Sequence, residues 1–415
     1  MQTLITEDIH PATIRPRIAD LQPNLVQWRR QLHQHPELGF QEQVTAAFIA
    51  DKLTDWQIEH KTGIAHTGVV ALIQGTQPGP VFAIRADIDA LPVQEENQVS
   101  YRSQKDGLMH ACGHDGHTAI ALGTAYYLSQ NRHLIQGTVK IIFQPAEEFP
   151  GGAAPMIAEG ALANPDVDAI VGLHIWNNLP IGTIGVRSGP LMAAVEIFDC
   201  TIYGKGGHGA IPQQAVDPIV VGAHIISSLQ SVVARQLNPL EPGVVTIGQF
   251  HAGHAYNVIP DSASFAGTVR YFEPSLRDFF SERIEQHIAG ICQSYGATYE
   301  LDYKKLYPPT INHDGMAELV RSVVETVVET PDNVVHDCQT MGAEDMSFFL
   351  QRVPGCYFFL GSANAEKGLD YPHHHPRFDF DETVLSTGVE IFVRCLERFY
   401  EIHDSVLART SVFPP

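Results

Sequence analysis

The strongest constraint on this chain is a change of rhythm. From residue 68 onward short β-branched runs alternate with helical stretches, and between about 192 and 304 that alternation gives way to a self-contained β-α-β-β-α-β order. The first rhythm is carried by GVVALI, PVFAIRAD, GTVKIIFQP and DAIVGLHI, each closed by glycine, proline or polar residues. TAIALGTAYYLSQN lies among them as a buried-looking helix. Strands alternating with helices predict an α/β layer fold with a mostly parallel sheet. Ahead of them, residues 24–56 predict two helices: Leu25, Trp28 and Leu32 recur at helical spacing until Pro36 breaks the pattern, and VTAAFIADKL supplies the second.

The inserted rhythm reads separately. EIFDCTIYG is a strand, Asp217-Pro218 caps the helix PIVVGAHIISSLQSVVA, and VVTIGQF and ASFAGTVRYF are two further strands. SLRDFFSERIEQHIAGICQSYG is an amphipathic helix stopped by Gly296, and ATYELDY closes the unit as a strand. This split βαβ order is enough to fold as a small domain of its own. Residues 305–415 return to helix and strand alternation. The expected organisation is therefore a catalytic domain in two parts, 1–191 and 305–415, with an inserted ferredoxin-like α+β lid at 192–304.

Composition narrows the function. A chain of 415 residues is long enough for two domains. Its formal net charge of −21 would repel nucleic acid and an anionic membrane surface. No apolar run approaches the roughly 20 residues of a membrane span. The opening MQTLITEDIH has neither a basic nor an apolar leader region, and six scattered cysteines include no CxxC pair. These features predict a soluble cytoplasmic protein with reduced thiols.

Four polar clusters fall at the expected C-terminal ends of strands or ahead of the TAIAL helix. They are Asp87 and Asp89, Cys112-Gly-His114, Glu147-Glu148, and His174. That edge of an α/β sheet is where ligands bind. A lone histidine after a strand is more often a hydrogen-bonded core or surface residue than a ligand. Four clusters of thiolate, imidazole and carboxylate at one edge point instead to a zinc- or manganese-class ion. Without paired cysteines the arrangement favours an open, catalytic site. Glu147 and Glu148, read as extended backbone, would point apart, one toward a metal and one free to handle a proton.

The ordered motifs HQHPELGFQE (33–42), RADIDALP (85–92), HACGHDGH (110–117), FQPAEE (143–148), GLH (172–174), GKGGHGA (204–210), YNVIP (256–260) and HHHPRFDFDE (373–382) resemble one family. It is the aminoacylase, hippurate hydrolase and indole-acetyl-amino-acid hydrolase branch of the di-metal exopeptidase superfamily. The resemblance implies a phosphorylase/hydrolase-like di-metal catalytic domain, and two divalent ions (Mn, Zn, Co or Ni class) held by Cys112, His114, Glu148, His174 and one histidine of 373–375. His374 fits the pattern His-x-Pro-x-Phe with Pro376 and Phe378. Glu147 corresponds to the general base, and Asp87 to a carboxylate that orients a ligand. His208 corresponds to a lid residue reaching the scissile carbonyl, and Asn257 and Arg270 to substrate contacts. Where many superfamily members have His-x-Asp, this chain has Arg85-Ala-Asp87, with Cys112 expected to compensate.

The implied reaction is hydrolysis of the amide bond of an N-acyl-L-amino acid, releasing a carboxylic acid and a free amino acid. The implied partners are that small substrate and a second copy of the chain, joined through the lid. A dipeptidase or aminopeptidase of the same superfamily, and a non-catalytic relative that keeps the metal site, are the alternatives.

Overall fold

The computed structural model describes residues 14–407, with side chains described to residue 403. The opening MQTLITEDIH lies outside the described residues. The chain divides into two compact units. The first comprises the chain up to Gly189, Ile311–Gln339 and Asp345 onward. The second comprises Pro190–Thr310 and Thr340–Glu344, so it begins slightly before and ends slightly after the 192–304 read from sequence and takes in one short later segment.

The first unit is built on an eight-stranded sheet. Its strands lie in the order Glu59–Ile64, Gly68–Gln74, Gln136–Gln144, Gln77–Asp87, Ala169–Pro180, Gly355–Ala363, Ile184–Gly185 and Val334–Val335. The four central neighbours, from Gln136–Gln144 to Gly355–Ala363, pair in parallel, whereas the pairs at the Glu59–Ile64 edge are antiparallel. The sheet is therefore mixed, with a parallel centre. Its central strands are buried along most of their length, which explains why they read as near-continuous apolar runs.

The helix His114–Gln130 packs on the strands Gln77–Asp87 and Ala169–Pro180 and is covered by the helices Gln22–Gln34 and Val384–Leu407. Nearly every residue from His114 to Leu128 is buried. A helix enclosed on all sides loses the apolar stripe of a surface helix. Its first turn is consequently fixed against the ends of the sheet strands.

The second unit has a four-stranded antiparallel sheet in the order Gly243–Ala252, Ser262–Tyr271, Ala194–Tyr203, Thr298–Tyr307. Two helices pack on it, Pro218–Ser231 and Leu276–Tyr295. The Asp217 carboxylate accepts from the amides of Ile219 and Val220 at the start of the first helix. Gly296, at φ 71°, closes the second. Leu276, Phe280, Ile284, Ile288 and Cys292 recur every fourth residue and fill this unit's own core. Pro218–Gln236 is long and apolar enough to cross a membrane by length and composition alone. Its residues Val221, Ile225, Leu229 and Val232 nevertheless join that same core.

Lys140 sits within the buried strand Gln136–Gln144 and donates to the carbonyls of Ala163 and Pro165, both at 2.8 Å. Burial lowers its pKa from 10.5 to about 8. Between those two values the unfolded chain still holds a proton that the folded chain has released, so this group makes stability rise with pH across that window. The urea midpoint of the wild type relative to Lys140→Met should therefore shift in favour of the wild type from pH 7.5 to pH 9.5. A difference independent of pH would show that the ammonium titrates normally.

Candidate metal centre

All five expected ligands lie in the first unit. Cys112 precedes the helix that His114 begins, and Gly113 between them has φ 90°. Only glycine adopts that conformation without strain. A Cβ there would also touch Ile175 at 3.4 Å. The thiol and the imidazole can thus turn into one space, and Cys112, His114 and His174 offer donor atoms within 4.8 Å of one another. Cys112 Sγ is 3.5 Å from His174 Nε2. His174 lies inside the strand Ala169–Pro180 rather than beyond its end, correcting the sequence reading. Pairing with Gly355–Ala363 continues past it, with His174 opposite Phe359.

Glu147 and Glu148 occupy a turn, not extended backbone. Ala146, at φ 54°, redirects the chain just ahead of them. In place of pointing apart, the two carboxylates and His114 bring donor atoms within 4.8 Å of one another. Glu148 also groups with Cys112 and His374. Of the three consecutive histidines, His374 places Nε2 3.0 Å from Glu148 Oε1. His373 Nε2 accepts the Asn177 amide at 3.2 Å, and its ring packs on Trp176 and Phe378. His375 stacks on Tyr371.

The imidazoles are oriented from behind. His114 Nδ1 lies 3.0 Å from the Asp89 carbonyl and 3.1 Å from its carboxylate, and His174 Nδ1 lies 2.6 Å from the Ile175 carbonyl. A carbonyl only accepts, so both Nδ1 atoms carry a proton, which leaves Nε2 as the nitrogen of each ring that can face an ion. The Asp89 carboxylate also accepts the Glu148 amide at 3.0 Å, tying the acidic turn to His114. Asp87, expected to orient a ligand, hydrogen-bonds His117 Nδ1 at 2.5 Å and Arg85 at 2.7 Å, with its Oδ1 3.8 Å from His114 Nε2. Arg85 and Asp87 are two residues apart on one strand, so they share a face. The carboxylate bonded to an expected ligand is Asp89, which sequence reading named without giving it a role.

His117 stands in HACGHDGH one helical turn from His114, and the motif alone gives it no role. Its Nε2 accepts the Ile175 amide at 2.8 Å. With both nitrogens engaged it holds Asp87 in place and has no lone pair left for an ion.

The donor set fits a divalent cation. His114 Nε2 is buried with no hydrogen-bond partner among the described residues. It faces Asp87 Oδ1 at 3.8 Å and Glu147 Oε2 at 4.0 Å. These gaps are too wide for hydrogen bonds, yet they suit an ion bonded at about 2.0–2.2 Å to nitrogen and oxygen. The local charge agrees. Burial and the carboxylates of Glu148 and Glu147 push the Cys112 thiol well up. Burial would lower His114, but Asp87 and Asp89 raise it to about 10. Burial, with His117 and His373 beside it, keeps His174 neutral. Crowded carboxylates and a buried thiol are balanced by positive charge placed among them.

A buried guanidinium links two of the segments that carry donors. Arg29 binds Asp115 at 2.8 Å, Asp379 at 2.8 Å and Glu382 at 3.2 Å. Asp115 follows His114, and Asp379 lies five residues beyond His374. His33 bridges Asp115 and Glu95 at 2.8 and 3.2 Å. Burial and Arg29 would lower its pKa, but these carboxylates raise it to about 9.

His208, Asn257 and Arg270 belong to the second unit. His208 is exposed and pairs with Val258 in a two-stranded ribbon, while the Gly209 amide donates to the Asn257 carbonyl at 2.9 Å. His208 and Asn257 are thus neighbours. Arg270 sits near the far end of the strand Ser262–Tyr271, about 25 Å along it from Ser262.

Residues 83–398 match the model of peptidase family M20/M25/M40. The chain is 45% identical over 302 residues to an N-acyl-L-amino acid amidohydrolase of Geobacillus stearothermophilus, covering 72% of this chain and 81% of that protein. It is 40% identical over 378 residues to thermostable carboxypeptidase 2 of Saccharolobus solfataricus, covering 89% and 94%. The crystal structure of the Bacillus subtilis YxeP protein, described as a dinuclear metal-binding peptidase of the M20 family, superposes with a TM-score of 0.80 at 38% identity, covering 92% of this chain and 99% of that one. Motifs, fold and matched span agree, and the chain belongs to peptidase family M20/M25/M40.

Proposed function

We propose that this protein hydrolyses the amide bond of N-acyl-L-amino acids, releasing a carboxylic acid and a free amino acid. The metal-dependent part rests on the buried His114 Nε2, without a hydrogen-bond partner among the described residues and facing two carboxylates near Cys112, Glu148 and His174. The substrate class rests on the likeness to the relative named an N-acyl-L-amino acid amidohydrolase. Cys112, His114, Glu148, His174 and His374 would hold two divalent ions of the Mn, Zn, Co or Ni class. When bound, the ions supply Lewis-acid polarisation of the carbonyl and activation of water. Glu147 accepts a proton from the attacking water and passes it to the leaving nitrogen. Asp89 and the Ile175 carbonyl engage Nδ1 of the two imidazoles and leave Nε2 turned toward where the ions would sit. His208 stabilises the oxyanion, with Asn257 and Arg270 binding substrate.

The relative named a carboxypeptidase favours a second reading, cleavage of unblocked peptides. Both activities break an amide bond to an amino acid and differ in what lies on its N-terminal side. A panel of N-acetyl, N-benzoyl and indole-acetyl amino acids assayed beside free dipeptides, on metal-reconstituted protein, separates them. Exclusive turnover of the dipeptides would overturn the amidohydrolase reading. The six cysteines are all free thiols, in keeping with a cytoplasmic setting. Ile211, Val220, Val244 and Val258 are exposed apolar residues on the second unit, in keeping with pairing of two copies there.

Glu147→Gln should abolish turnover while the ions stay bound, because an amide keeps the shape and cannot accept a proton. Glu148→Gln should lose metal as well, read by elemental analysis. Full metal content in both variants with only Glu148→Gln inactive would reverse the two roles. His208→Ala should lower kcat by roughly 100-fold with little change in KM, on the scale of a lost oxyanion donor. If His208 serves the partner subunit, mixing impaired His208→Ala with inactive Glu147→Gln protein should raise activity above that of His208→Ala alone. Verified mixed dimers without recovery would mean that it serves its own.

A further inference from the structure

The motif HQHPELGFQE has no part in the chemistry so far, yet its last residue lies directly beneath the acidic turn. Glu42 is fully buried. One of its carboxylate oxygens accepts the Ala146 amide at 2.9 Å, and the other accepts the Thr67 hydroxyl at 2.6 Å. Ala146 is the residue at φ 54° that turns the chain into Glu147 and Glu148. A residue with a Cβ does not rest there unaided.

Gly39, in the same motif, lets this support come close. A Cβ on residue 39 would stand 2.3 Å from the Phe149 carbonyl oxygen and 2.9 Å from Ala146 Cβ. The Ala146 carbonyl in turn accepts the Gly151 amide at 3.0 Å. The strained peptide is therefore held from both sides, and its only side-chain anchor among the described contacts is Glu42. Burial raises the pKa of Glu42 to about 7, against the pull of the Thr67 hydroxyl and the backbone amides. A buried carboxylate is costly to keep, and at this position it contacts no expected ligand directly.

We propose that Glu42 is a positioning residue for the reaction, holding Ala146 in its left-handed conformation so that the Glu147 carboxylate meets the attacking water. The inference rests on the reading of Glu147 as the base. It predicts a defect in the chemical step rather than in substrate or metal binding, since a displacement of about 1 Å in a catalytic group costs on the order of 100-fold in rate.

Four variants test it: Glu42→Ala, Glu42→Gln, Ala146→Gly and the double variant Glu42→Ala/Ala146→Gly, with Glu147→Gln as reference. Glu42→Ala should lower kcat by about 30- to 100-fold, with KM within about 3-fold and metal stoichiometry unchanged. Glu42→Gln keeps an acceptor for the Ala146 amide and should stay within about 5-fold of the wild type. Glycine takes a positive φ without strain. Placing it at 146 in the Glu42→Ala background should therefore recover at least 10-fold of the lost kcat, relative to Ala146→Gly alone.

Wild-type kcat in Glu42→Ala, beside an inactive Glu147→Gln, would overturn the proposal. A Glu42→Ala protein that sheds metal or melts early, with no recovery from Ala146→Gly, would also overturn it by showing a merely structural role. An active Glu147→Gln enzyme would remove the base itself, and this inference with it.

Discussion

The site depends on one buried cation. Arg29 takes its place among Asp115, Asp379 and Glu382 with no access to water. Burying such a cluster adds little net stability, but removing one partner from it costs about 3–5 kcal/mol, because the remaining charges are left uncompensated. The value of the arrangement is geometric. Asp115 is one residue from His114 and Asp379 five from His374, so a single guanidinium fixes the separation of two segments more than 250 residues apart in the chain. A planar group with several fixed donors does this where a flexible ammonium would not.

The same logic recurs at Arg85. Its guanidinium binds Asp87, Gln144 and Asp345, and Asp345 in turn accepts the amides of Gly152 and Ala153 just after the acidic turn. Two buried arginines thus hold two sets of loops at the end of one sheet. This explains how Arg can stand two residues before Asp87. At that position it organises carboxylates and offers an ion nothing, while a thiol and two imidazoles converge from the helix start and the neighbouring strand.

What the sequence makes legible follows from the range of each interaction. Periodicity is local, so the strand Gln77–Asp87, the buried helix after His114, the Asp217 cap and the Gly296 stop all read directly. The spacing of Cys112 and His114 across a glycine is local too, and with FQPAEE it points to an ion. The roles of Asp89, His117 and Glu42 are not local. Asp89 meets His114 across 25 residues, and Glu42 meets Ala146 across 104. No spacing rule reports such partners. The positive φ of Ala146 is hidden for a related reason: alanine has no preference for it, and the turn is imposed by groups that arrive from elsewhere. The continuation of the strand past His174 is likewise set by its neighbour Gly355–Ala363, not by its own residues.

The position of that neighbouring strand has a consequence for the order of events at the ribosome. Ala169–Pro180 needs Gly355–Ala363 beside it to complete the parallel centre of the sheet, and the chain between them contains the whole second unit. The four strands and two helices of that unit are finished by Tyr307, so it can fold while its host still lacks a central strand. The host stays open until Gly355–Ala363 emerges. His374 lies beyond that strand in the chain. Four of the five expected donors, Cys112, His114, Glu148 and His174, are thus made before the strand that closes the host, and one, His374, only after it.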